Sequence, residues 1–157
     1  MPINATRSRS GFIIFYAGVP LVWSSKLQTE VTLSSTEAKM IALSASTREL
    51  IFLVCLIKET GEITKMKIHL GNLKIYCRVY EDNKGTLELA KEYHIRPRTK
   101  HINVKYWHFR QFMDQHKDIL LFHWIQSKDQ IANVLTKPLG SRLQVKFARI
   151  TQGWRNE

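Results

Sequence analysis

The sequence predicts an α/β (α+β) fold, a mixed sheet with flanking helices in one domain. Three observations predict it. Strand-like β-branched and aromatic runs are interspersed with helical apolar stripes. A chain of 157 residues, 44% hydrophobic and 10% aromatic, is long enough to bury a core and is not a disordered tail. Its two cysteines, Cys55 and Cys77, include no Cys-x-x-Cys pair. They exclude a disulfide scaffold and read as buried free thiols in a reducing compartment. No repeat or linker interrupts residues 1–157, so they read as a single domain, with 141–157 as its C-terminal helix and tail.

The elements follow in order. Phe12 to Tyr16 and Leu21 to Ser24 read as short strands around a Gly18-Val19-Pro20 turn, and Glu30 to Leu33 as an extension or a third strand. Ser34-Ser35-Thr36-Glu37 supplies hydroxyl caps and a first-turn carboxylate. Met40, Leu43, Leu50, Val54 and Ile57 then keep helical spacing, and Lys58 and Gly61 give a stop. Lys74 to Tyr80 is a strand ended by Glu81-Asp82-Asn83, and Thr86 to Tyr93 is a short helix. Ile102, Tyr106, Phe109 and Met113 form another helical stripe. Ile119 to Ile125 is a strand, Asp129 to Leu135 a short helix near Pro138, and Leu143 to Ile150 the last helix.

Charge narrows the class of partner. The 24 basic and 13 acidic residues give a net +11 with His neutral. A solvated basic surface is the plain explanation. Nucleic acid is favoured over it because the charge gathers at Arg96, Arg98, Lys100, His101 and Lys105, with Tyr93, Tyr106 and Trp107 interleaved. Arg7 and Arg9 before an uncharged run imitate a signal peptide, but Ala17-Gly18-Val19-Pro20 breaks the run and no Ala-x-Ala site follows. The longest aliphatic run, Leu50 to Ile57, is far short of a bilayer span. The expectation is therefore a chain that is not secreted and has no membrane partner and no small-molecule substrate.

Three positions stand out by placement. Glu37 opens a helix, Asp82 ends a strand, and Asn133 lies in the helix after the last strand. Carboxylates converging from such element ends can hold Mg²⁺, which takes oxygen ligands. Each also has an ordinary structural use, Glu37 as a helix N-terminal charge and Asp82 as a turn residue. Spacing alone does not make a metal site. His94, His101, His108, His116 and His123 recur at near-heptad intervals, too far apart along a helix to share one ion. No Ser–His–Asp pattern and no phosphate-binding glycine loop is present.

Several blocks are more specific. Ser34-Ser35-Thr36-Glu37-Ala38 with Ile41-Ala42-Leu43-Ser44 resembles the "SSTEAEYIALS" block of copia-type retrotransposon polyproteins. Tyr80-Glu81-Asp82-Asn83 with Ala90-Lys91 resembles "YEDNQGAIALAKNP", and Arg98 to Tyr106 resembles "RTKHIDIKYHF". Asp129 to Asn133 with Thr136 to Leu139 resembles "DQLADIFTKPL". Thr6 to Phe12 resembles "DRRSTSGYVF", and Trp23 to Gln28 resembles "WSSKKQ". The blocks keep the family's order over nearly the whole chain. They are similar to the RNase H domain that ends the Pol polyprotein.

The resemblance implies a fold, an activity and a site. The fold is an RNase H-like mixed sheet with flanking helices. The activity is hydrolysis of RNA in RNA–DNA hybrids by two divalent ions, Mg²⁺ or Mn²⁺, held by four carboxylates. The helix-start Glu falls on Glu37, the strand-end Asp on Asp82, and the last carboxylate on Asn133, a degenerate match. The first Asp, in the family's "DADWAG", has no counterpart in Met1-Pro2-Ile3-Asn4-Ala5. The implied metal ligands are thus Glu37 and Asp82, and activity is expected to be impaired. Asn83, Arg98, Lys100, His101 and Lys105 are the implied nucleic-acid contacts. The first, central strand is expected to be missing, leaving either a gap in the sheet or a rearranged pairing. Implied partners are an RNA–DNA hybrid or other nucleic acid and the reverse transcriptase part of the same polyprotein. The implied location is a cytoplasmic virus-like particle or the nucleus. Two alternatives stand beside the impaired enzyme: a non-catalytic nucleic-acid-binding remnant, and a fragment that works only inside a larger polyprotein.

Overall fold

A two-residue turn sets the register of the first sheet. Ala17 and Gly18 both adopt positive φ, 51° and 81°, as a tight hairpin between right-twisted strands requires. They join β1 (Arg9–Tyr16) to β2 (Val19–Leu27) in an antiparallel pair running from Arg9↔Leu27 to Tyr16↔Val19. The turn expected at Gly18-Val19-Pro20 is one residue earlier, and Val19 and Pro20 belong to β2. Register slips between Ile14 and Phe15, opposite Pro20. Proline has no N–H for the ladder, so a strand tolerates it at such an irregularity. The structure, a computed structural model, describes residues 7–29, 31–64, 75–91, 111 and 113–153.

The capping expected at Ser34 to Glu37 is present. Ser34 Oγ accepts the Glu37 N–H at 3.1 Å, and Glu37 Oε2 accepts the Leu33 N–H at 2.8 Å. The helix they open, α1 (Ser35–Ile63), has 29 residues. It runs past the expected stop at Lys58 and Gly61, and its end is tied by the Thr64 N–H and Oγ1, both donating to Thr60 O. By length and composition Ser35–Gly61 is apolar enough to cross a membrane. The aliphatic run alone did not show this, because Arg48 and Glu49 end it, while the uncharged stretch from Met40 to Thr47 lies beyond them. Thr47 Oγ1 returns its hydrogen bond to Leu43 O at 2.6 Å, which lets a polar side chain be buried inside the helix. Cys55 is exposed on α1, contrary to the expectation of two buried thiols, whereas Cys77 is buried.

The second sheet is parallel. β3 (Cys77–Glu81) pairs with β4 (Leu120–Trp124) from Cys77↔Leu120 to Glu81↔Trp124. One face meets α1. Ile51, Val54, Cys77 and Leu120 form one buried cluster, and Met40, Leu43 and Leu89 form another, with Val79, Phe122 and Met113 packed against both. Leu89 lies on α2 (Lys84–Lys91). The last helix is α3 (Ser141–Thr151), whose Phe147 is fully buried. Among the described residues each strand has a single partner, and no strand joins β1 to β3. The result is α+β with two small sheets, and among the described residues β1 and β3 do not pair with each other. Of the expected stripe from Ile102 to Met113 only its far end is described, and residues 113–115 are helical.

Asp129 to Leu135, expected as one helix, is two 3₁₀ turns, Ser127–Asp129 and Ile131–Leu135. Gln130 between them is extended, and its Nε2 donates to Tyr80 O at 2.9 Å. That tie to β3 holds the backbone out of a continuous helix. The second turn lies against β1. A Cβ built on Gly11 would sit 2.6 Å from Thr136 Cγ2 and 3.0 Å from Leu135 Cβ. Ser25 Oγ, on β2, donates to Leu135 O at 2.6 Å.

Candidate functional site

The carboxyl ends of β3 and β4 lie side by side, because the strands are parallel and in register through Glu81↔Trp124. The Ile125 N–H continues the ladder to Glu81 O at 3.1 Å. The residues that follow each strand therefore share one corner. In open parallel sheets this end is where ligands bind. Asp82 follows β3, and Ser127 follows β4.

Five side chains meet there. Lys39, from the first turns of α1, donates from Nζ to Asp82 Oδ1 and, at 3.3 Å, to Glu81 Oε1. Ser127 stands beside the Asp82 carboxylate and helps to hold its pKa down. Asn133 Nδ2 donates to Ser127 O at 2.9 Å and to Ser127 Oγ at 3.3 Å. Asn133 is thus bonded to Ser127, which stands beside Asp82, and Asp82 is bonded to Lys39. Asn133 is buried at 7% exposure, and the Asp82 and Glu81 side chains are at 5% and 10%.

Burial alone would raise the Asp82 pKa, but the hydrogen bond from the Lys39 ammonium, with Ser127 and Glu81 adding to it, outweighs burial and holds the carboxyl down at about 2. Burial dominates at Glu81 and pushes its pKa up, against the pull of Lys39 and the Asn83 N–H. Lys39 loses some affinity for its proton to burial and regains more from Asp82 and Glu81, so its pKa is raised.

The structure brings two of the expected site residues, Asp82 and Asn133, into this corner. Glu37 is buried, and its Oε2 accepts the Leu33 N–H at the start of α1. Asn83 caps α2: its Oδ1 accepts the Thr86 N–H at 3.0 Å. Arg98, Lys100, His101 and Lys105 lie outside the described residues. Among the described residues no three His, Cys, Asp or Glu side chains are grouped to hold a metal ion. Lys39 was not among the residues expected here. The signal was present in the sequence, because Lys39 stands where the block "SSTEAEYIALS" has its second Glu.

The chain is related to retrovirus-related Pol polyproteins of plant transposons. It is 32% identical over 135 residues, 86% of its length, to the Pol polyprotein from transposon TNT 1-94 of Nicotiana tabacum. It is also 32% identical over 142 residues, 90% of its length, to the polyproteins from transposons RE1 and RE2 of Arabidopsis thaliana. It spans 9% of each of these polyproteins. No family model and no solved structure matches.

Proposed function

We propose that this chain is the RNase H-like segment of a copia-type retrotransposon Pol, with its metal-dependent hydrolysis of RNA–DNA hybrids impaired and its binding of nucleic acid retained. The observation that carries the reading is the meeting of Asp82 and Asn133 at the carboxyl end of a parallel strand pair. Two family blocks far apart in sequence supply them. The relation to Pol polyproteins of transposons supports the same assignment.

Mg²⁺ or Mn²⁺ is the cofactor the resemblance implies, and the corner as built does not fit it. The Asp82 carboxylate carries an ammonium, and Asn133 turns its N–H₂ group, not a second carboxylate, toward Ser127. What remains is a strongly basic chain, net +11, suited to the phosphates of a hybrid or another nucleic acid. Glu37 completes the proposed catalytic set by resemblance. The basic run holding Arg98, Lys100, His101 and Lys105 is the proposed phosphate-contacting surface, with Asn83 near the strand that would be cut. On this reading the chain works beside the reverse transcriptase part of its polyprotein, in a cytoplasmic particle or the nucleus.

The test uses a labelled RNA–DNA hybrid with Mg²⁺ or Mn²⁺ and Asp82→Asn as control. Binding that weakens steeply with salt, without metal-dependent cutting, is the expected result. Cutting that vanishes in the control overturns the impairment. A folded chain with no affinity for hybrid, RNA or DNA overturns the nucleic-acid reading.

A further inference from the structure

We propose that the Lys39 ammonium is the resident cation of the carboxylate corner, an internal counter-ion that keeps divalent metal out of it. The inference rests on the retrotransposon reading of that corner and adds to it the group that takes the place of a metal. Two carboxylates with side chains 5% and 10% exposed have been largely withdrawn from water and require a positive partner. Lys39 provides it from a neighbouring helix, reaching both Asp82 and Glu81.

The remaining acceptors are also engaged. Glu81 Oε1 takes the Asn83 N–H at 2.9 Å as well as the ammonium. Asp82 Oδ1 takes the ammonium, and the Ser127 carbonyl and hydroxyl beside it accept from Asn133. The named acceptors of the corner are therefore satisfied by the protein's own donors. A divalent ion could enter only by displacing the ammonium, or by sitting a few ångström from it against like-charge repulsion. Tethering favours the ammonium further, because its return to the corner is intramolecular.

The experiment is a Mn²⁺ titration of the full chain, read as paramagnetic broadening of the Asp82, Asn83 and Ser127 backbone amides. In wild type and in Lys39→Arg, which keeps the charge, no saturable broadening is expected into the millimolar range. In Lys39→Met, Mn²⁺ is expected to bind with affinity higher by about tenfold or more, and adding Asp82→Asn should abolish the gain. Lys39→Gln carries the same comparison should Lys39→Met not fold. Saturable broadening in wild type with the midpoint of the variant overturns the proposal, as does a folded Lys39→Met or Lys39→Gln without the gain. Hybrid binding is measured on the same samples. Loss of hybrid binding in every sample beside a gained Mn²⁺ site would sink the nucleic-acid reading alone. Intact hybrid binding with unchanged Mn²⁺ affinity would sink the Lys39 inference alone.

Discussion

Asn133→Asp restores the residue type of the family block, yet it is expected to destabilise this chain. Asn133 Nδ2 donates to Ser127 O at 2.9 Å and to Ser127 Oγ at 3.3 Å, and the residue is 7% exposed. An ionised carboxylate has no proton to donate. It would set an oxygen against the Ser127 carbonyl and leave that acceptor unpaired, and it would add a second negative charge beside the Ser127–Asp82 link. Losing the donor to a buried acceptor costs about 1–3 kcal/mol. A central value of about 2 kcal/mol corresponds to a midpoint lower by about 4–8 °C for a chain of this size. The assay is thermal and urea unfolding in EDTA at pH 7, repeated on acidification. Protonating the introduced carboxyl returns one O–H donor, so the deficit should shrink as pH falls toward the carboxyl range. A variant as stable as wild type at pH 7 in EDTA would refute the reasoning.

Four further outcomes are expected. Gly11→Ala places its Cβ 2.6 Å from Thr136 Cγ2, and overpacking of this kind costs about 1–3 kcal/mol; urea unfolding should show it, with partial rescue by Thr136→Ser. Asn83→Ala removes the cap that receives the Thr86 N–H and should cost about 1 kcal/mol by the same measurement. Asp82 is held below its ordinary value of 3.8, at about 2, so its stabilising effect is complete above the ordinary value and is lost as pH falls through that interval. Acid titration of stability should show the loss, and Asp82→Asn should remove that step, while Glu81, shifted upward, acts in the opposite sense at higher pH. Affinity for a hybrid should fall linearly on a log–log plot against salt, and neutralising Lys100 and Lys105 together should flatten the slope by about 2.

Much of the fold was legible because its elements carry their own periodicity. The stripe from Met40 to Ile57 and the run Ile119 to Ile125 correspond to α1 and β4, and the hydroxyl–carboxylate capping pattern correctly opens α1. The hairpin turn was misplaced because glycine and proline are the usual turn residues, whereas Ala17 takes the first positive φ. The two 3₁₀ turns read as one helix because nothing local to Gln130 reports its bond to Tyr80, fifty positions away. Within the site, Asp82 and Asn133 could be named from family blocks, but their link through Ser127 could not. Ser127 matters only because β3 and β4 are parallel and in register, a tertiary fact. Asn83 had an ordinary use as a helix cap that the family block does not advertise.

Lys39 and Asn133 act in one direction. With Glu at position 39 and Asp at position 133, as in the family blocks, this corner would hold four acidic side chains, counting Glu81 and Asp82, for a formal −4. Here Glu81 and Asp82 contribute −2 and Lys39 contributes +1, leaving −1. A corner at −4 with buried carboxylates is stable only with bound cations, so metal affinity and folding are coupled there. A corner near neutrality has lost that requirement. Either substitution alone would leave a mismatch, a lysine among three carboxylates or three carboxylates with no lysine. Together they match each donor to an acceptor, Asn133 to Ser127 and Lys39 to Asp82 and Glu81. With the Lys39 ammonium as the proposed resident cation, stability is expected to be indifferent to chelators. Equal unfolding midpoints in EDTA and in Mn²⁺ are the outcome this argument requires, and a midpoint raised by Mn²⁺ in the wild-type chain would contradict it.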